Sequence, residues 1–206
     1  MSFLYRARNI LRKLLSGEDV ITIVHNVNEW DAQYTDGRWE RLKQEQKNTK
    51  AIATHICEEA QKNPTLRVLD VGCGNGGLTQ LIHSCVGTYV GTDISSVALE
   101  EARLIAPKVA LHVCDAANPP SDLGIFDVIV FNEILYYTNP EIVLRAHQQY
   151  AHTDTTIIIS IVRHWRSLFL WRKIFRLVEK RASYKIFEER KKKTMIWDIV
   201  IVRFRL

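Results

Sequence analysis

Nowhere do these 206 residues run apolar and uncharged for long. The longest such stretch, around Ile157 to Val162, falls far short of the roughly 20 residues a membrane-spanning helix needs. A transmembrane segment is therefore excluded. Cysteine is scarce: Cys57, Cys73, Cys85 and Cys114 sit at irregular spacings with no C-x-x-C pair, so neither a zinc ribbon nor a thioredoxin-type redox site is expected. The chain is too long for a small disulfide scaffold, and no secretory leader is expected. The four cysteines are accordingly expected to be buried thiols in a reducing, cytoplasmic setting. Histidines such as His25, His55, His83, His112, His147 and His152 lack metal-ligand spacing, and no metal is expected. With 5 Pro, 9 Gly, no repeat and no low-complexity tract, the chain is neither fibrous nor disordered.

What is present is 47% apolar and 25% charged sequence, enough at this length for one well-buried domain. Charge is unevenly spread. Residues 1–15 hold Arg6, Arg8, Arg12 and Lys13 and no acid, and residues 163–206 hold 14 Lys or Arg against four acids. Residues 20–162 reverse the balance, with 10 basic and 17 acidic side chains. Two basic ends imply a shared task with anions, or else a solvated face.

Residues 3–15 carry apolar side chains at helical spacing, and a second helix is predicted over 39–62, stopped by Asn63-Pro64. After Pro64 the pattern alternates. Apolar strands are predicted at 66–71, 86–91, 109–113, 126–131 and 155–162, with helices between them, including one that Asn139-Pro140 opens. Strands this apolar on both faces belong to a covered parallel sheet. A basic amphipathic helix (163–182) and two further strands, 184–188 and 195–204, follow; their short connection implies an antiparallel hairpin. The expected fold is α/β: Rossmann-like, doubly wound, a mostly parallel seven-stranded sheet with a C-terminal antiparallel hairpin. Residues 1–62 form N-terminal helices, as a cap or an interfacial segment, and 63–206 form the core.

The informative segment runs from Asp70 to Gly77, D-V-G-C-G-N-G-G. It satisfies both G-x-G-x-x-G and D-x-G-x-G-x-G, directly after a predicted strand and before a helix, the context in which glycines let backbone approach a nucleotide-like ligand. Asp70 would oppose a pyrophosphate but suits a ligand carrying an ammonium group. Asp93, at the end of the second strand, is placed for ribose hydroxyls, and Asp115, at the end of the third, for an adenine amino group.

V-L-D-V-G-C-G-N-G, G-T-D-I-S, C-D-A-A and F-D-V-I-V-F-N-E-I-L-Y-Y occur in order over roughly residues 65–162. Together they resemble the successive motifs of class I S-adenosylmethionine-dependent methyltransferases. The closing T-M-I-W-D-I-V-I-V is similar to that family's last strands, and N-E-I-L-Y-Y resembles the nodulation-type N-methyltransferases and related small-molecule enzymes. The resemblance implies S-adenosylmethionine as cofactor, with Gly72 and Gly74 against its methionine and sugar parts and Asp70 reaching its amino group. It also implies Asp93 on the ribose, Ile94, Asp115 and Ala116 around the adenine, and Asn132 on the methionyl part.

A base is needed only if the nucleophile arrives protonated. Glu133 and His164 follow the fourth and fifth strands on the ligand side; the alternative for His164, and the favoured one, is a surface histidine in the basic loop with Arg163 and Arg166. Tyr136, Tyr137 and Trp39 are candidates for the acceptor wall, and Trp30, Tyr34, Trp39 and Arg41 for a lid or a packed helix. The favoured acceptor is a small metabolite or sugar, taking the methyl group on O or N and carrying negative charge in one version. A lipid or membrane-associated acceptor is the alternative, since the two basic amphipathic helices resemble interfacial segments and would give peripheral membrane contact. Nucleic acid is disfavoured, because [DN]-P-P-[YF] is absent after the fourth strand. A non-catalytic binding module and a Rossmann oxidoreductase remain the contrasting readings.

Overall fold

The structure, a computed structural model, describes residues 26–40, 47–163, 168–179, 182–188 and 196–204. The helix expected over 3–15 and the candidate His164 lie outside these residues.

Among the described residues two helices precede the sheet, α1 (Val27–Thr35) and α2 (Lys47–Lys62), where the sequence predicted a single helix over 39–62 in this part of the chain. The start of α1 was legible in principle, because Asn26 caps it. Its Oδ1 accepts from the Glu29 amide at 3.0 Å, while its Nδ2 donates back to the Glu29 carboxylate. That signal was missed because α1 has few apolar residues at helical spacing.

Five strands then run parallel: β1 (Arg67–Val71), β2 (Thr88–Asp93), β3 (Ala110–Val113), β4 (Phe126–Asn132) and β5 (Ala151–Arg163). This is the doubly wound parallel arrangement expected. Between them lie α3 (Thr79–Ile82), α4 (Ser96–Ile105, capped by the Ser95 side chain) and α5 (Pro140–Ala146, capped by Asn139). After β5 come α6 (Leu168–Glu179), β6 (Ala182–Glu188) and β7 (Ile196–Phe204); the order across the sheet is β3-β2-β1-β4-β5-β7-β6. β7 pairs antiparallel with both β5 and β6.

β5 starts four residues before its apolar run. Thr155 fills the irregularity there, accepting from the His152 amide and donating to the Phe126 carbonyl.

Period-two alternation divides the strands between two cores. Leu69, Val71, Ile129, Phe131, Ile157, Ile159 and Ile161 face Leu135, Val143, Tyr150, Leu170 and Ile174. Val68, Val128, Val130 and Ile158 face Ile52, Ile56 and Ala60 of α2, together with Leu78 and Ile82. Burying side chains such as Ile52 and Ile56 completely stabilises by about 1.5–3 kcal/mol each.

One expectation is corrected here. Cys57 on α2 and Cys85 after α3 are joined in a disulfide, their Cα atoms 5.7 Å apart, so only Cys73 and Cys114 are free. The pairing was invisible in the sequence because it depends on α2 packing across the turn that follows α3. No helix among the described residues is long and apolar enough to cross a membrane.

Candidate functional site

In an open α/β sheet, ligands sit beyond the carboxyl ends of the strands where the strand order reverses, here between β1 and β4. The glycine loop leaves β1 at that point. Gly72 (φ 69°) and Gly74 (φ 55°) occupy the left-handed region that side-chain-bearing residues avoid. A Cβ at Gly72 would fall 2.5 Å from Ile134 Cδ1, and one at Gly74 would fall 2.8 Å from the Tyr34 hydroxyl. The amides of Gly72 and Cys73 both donate to the Thr92 carbonyl, at 2.7 and 2.9 Å, which locks the turn to β2.

Two carboxyl groups converge on this loop. Asp93 accepts from the Gly74 amide through Oδ2 and from the Ser95 amide through Oδ1, both at 2.9 Å. Burial nevertheless raises its pKa against the lowering effect of those amides. Asp70 is 1% exposed. Its Oδ2 accepts from the Tyr89 hydroxyl at 2.9 Å, Tyr89 in turn meets the Thr79 hydroxyl at 2.7 Å, and Oδ1 is a buried acceptor with no partner. Burial, only partly countered by Tyr89 and reinforced by Asp93, pushes the Asp70 carboxyl up to about 7. Among the described residues no cation contributes to the environment of these two buried acids, and Asp70 Oδ1 still wants a donor.

At the end of β4, Asn132 is held from below. Its Oδ1 accepts from Asn48 Nδ2 at 3.1 Å, its Nδ2 donates to Thr49 Oγ1 at 3.2 Å, and Asn48 also donates to Ser160 Oγ. Glu133 follows at φ 61°, the one non-glycine residue with positive φ among those described. Such strain persists where the surroundings over-determine it, and it clusters at functional sites. Here Glu133 Oε2 accepts from the Tyr136 hydroxyl at 2.8 Å and Oε1 from Ser160 Oγ at 3.0 Å. Neither the strain nor the part played by Ser160 and Asn48 was readable in the sequence, because each depends on partners more than 25 positions away.

Of the two tyrosines expected in the acceptor wall, Tyr136 is buried in the core and serves as the support of Glu133. Tyr137 stays half-buried and meets the Trp30 ring edge-on at 4.9 Å. Trp39 packs 5.8 Å from Trp30 and 6.3 Å from Tyr34, and its carbonyl accepts from Asn75 Nδ2. Ser95 Oγ donates to the Asp31 carboxylate, so α1 and the turn after it are fastened over the glycine loop. Ile94 is half-buried beside Asp93, and Ala116 is buried. Asp115 is exposed, and its Oδ1 accepts from the Ala117 amide at 2.8 Å, the geometry of a local turn. Among the described residues no group of His, Cys, Asp or Glu is arranged to hold a metal ion.

The family model of the methyltransferase domain matches residues 62–197. Among curated relatives, the chain is 31% identical over 103 residues to the polyketide synthase-nonribosomal peptide synthetase phmA of Phaeosphaeria nodorum, covering 44% of this chain and 2% of that protein. It is 32% identical over 101 residues to the magnesium-protoporphyrin O-methyltransferase of Rhodobacter capsulatus, covering 46% of this chain and 44% of the relative. The matches thus span less than half the length of these relatives. Among solved structures, the magnesium protoporphyrin IX methyltransferase of Synechocystis, with S-adenosylhomocysteine bound, shares the fold at a TM-score of 0.65 and 17% identity, covering 87% of this chain and 97% of that one. With a glycine loop at the switch point, acids at successive strand ends and the family match over most of its length, the chain belongs to the methyltransferase domain family, among the class I S-adenosylmethionine-dependent methyltransferases.

Proposed function

We propose that this chain transfers a methyl group from S-adenosylmethionine to an oxygen or nitrogen of a small-molecule acceptor. The observation that carries the reading is the pair of buried carboxyl groups on the glycine loop, Asp70 with an unpartnered oxygen and Asp93 beside it. Such a cradle favours a ligand that brings positive charge and hydrogen-bond donors, and it disfavours a pyrophosphate. S-adenosylmethionine brings both, and its sulfonium supplies a methyl group open to in-line displacement.

The residues divide the work by position. Gly72 and Gly74 allow close approach of the backbone, Asp70 takes the amino group, and Asp93 takes the ribose hydroxyls. Ile94, Asp115 and Ala116 frame the adenine. Asn132, anchored by Asn48 and Thr49, fixes the height of the methionyl end. Glu133 faces the acceptor. Two hydroxyl donors hold its carboxylate in place, which suits orienting an acceptor hydroxyl or holding an amine. Tyr137 and Trp39 wall the acceptor space, with residues 26–40 as its cap. Holding the nucleophile in line supplies most of the rate enhancement in such a displacement. The C-terminal antiparallel pair belongs to the same seven-stranded sheet and extends it beyond β5. A small acceptor is supported by the R. capsulatus relative, named for a porphyrin.

Thermal unfolding with S-adenosylmethionine, S-adenosylhomocysteine or NADH tests the reading. Ligand binding to the native state adds RT ln(1 + [L]/Kd). Stabilisation by the first two and not by NADH is expected. No shift with either at millimolar concentration overturns it.

A further inference from the structure

We propose that Tyr34 is a cofactor-binding residue whose hydroxyl donates a hydrogen bond to the carboxylate of the cofactor's amino-acid end. The inference rests on the glycine loop being the cofactor site and goes further by naming the group that receives the ligand's negative charge.

The amino-acid end of S-adenosylmethionine is a zwitterion. Asp70 suits its ammonium, but Asp70 and the neighbouring Asp93 both repel its carboxylate, so a donor without negative charge is needed close by. Tyr34 meets that need. It is 8% exposed, and its hydroxyl lies directly over Gly74, 2.8 Å from where a Cβ would stand. That hydroxyl makes no hydrogen bond to any described residue. The ring is buried while the hydroxyl stands against the glycine loop, which puts a free donor within reach of a ligand seated on that loop. Burial and the neighbouring Asp93 raise the Tyr34 pKa well above its ordinary value, so the phenol stays a donor throughout the physiological range.

The position is built. α1 carries Tyr34 on its last turn, Asp31 one turn earlier accepts from Ser95 Oγ, and the Trp30 and Trp39 rings flank the phenol at 6.5 and 6.3 Å. The placement also accounts for glycine at position 74, since any side chain there would displace the hydroxyl.

Titration calorimetry with two ligands on the intact chain tests the proposal. S-adenosylhomocysteine has the amino-acid end; 5′-methylthioadenosine keeps the adenosine and thioether and lacks it. Tyr34→Phe removes the hydroxyl and leaves the ring packing. We expect Tyr34→Phe to weaken S-adenosylhomocysteine at least about tenfold, the scale of a hydrogen bond to a charged group, while 5′-methylthioadenosine affinity stays within twofold. An equal loss for both ligands, or no loss for either, overturns the role. Failure of the unaltered protein to bind S-adenosylhomocysteine at all is a different result, which removes the cofactor reading itself.

Discussion

The Asn48 side chain donates from α2 to Asn132 Oδ1 at 3.1 Å and to Ser160 Oγ at 3.1 Å, joining the helix that precedes the sheet to the ends of two of its strands. Ser160 in turn donates to Glu133. Asn48→Ala leaves these groups short of a donor in a buried place, which costs about 1–3 kcal/mol. Urea denaturation should show that loss. It should also weaken S-adenosylhomocysteine binding through the released Asn132; a variant of unchanged stability would refute the network.

Asp70 makes stability depend on pH. Its folded pKa, about 7, lies above the ordinary carboxyl value of 3.8, so the fold favours the protonated form. Its contribution is fully present below pH 4 and is lost as the pH rises through 7. Asp70→Asn keeps an acceptor for Tyr89 and carries no charge. The variant should match the unaltered protein at pH 4 and exceed its stability at pH 8, by on the order of 4 kcal/mol at one pKa unit per 1.36 kcal/mol. Identical pH profiles would show that Asp70 titrates normally.

Asp93→Ala removes the acceptor proposed for the ribose and should weaken S-adenosylmethionine by on the order of 1.5–3 kcal/mol, the range for a charge-assisted hydrogen bond. Calorimetry reads this directly. Normal binding by the variant would place the ribose elsewhere.

Gly74→Val forces a branched side chain into a position with φ 55°, against Tyr34. Cofactor binding should be lost. Core contacts of β1 such as Leu69 and Val71 are untouched, so cooperative unfolding should persist. Retained binding would move the site away from the loop.

Ile56 is fully buried between α2 and the sheet. Ile56→Ala should cost about 2–5 kcal/mol through lost transfer energy and the cavity left behind. A loss below 1 kcal/mol would mean that α2 is not packed as described.

The sequence by itself determined the parallel sheet, the glycine loop and the order of acids at the strand ends. These are local: a buried parallel strand is an unbroken apolar run, and a strand–glycine–helix turn needs its residues adjacent in the chain. Strand ends that closed on Asp93, Val113 and Asn132 were therefore legible to within a residue or two. Only the tertiary structure decided the rest. That Cys57 meets Cys85, that Tyr136 supports Glu133 from the core while Tyr137 reaches Trp30, and that Tyr34 covers Gly74 are consequences of helices crossing the sheet. The reason is range. Hydrophobic period and turn chemistry act over a few residues, whereas burial, which raised Asp70 and Asp93, exists only once segments distant in sequence have excluded water together.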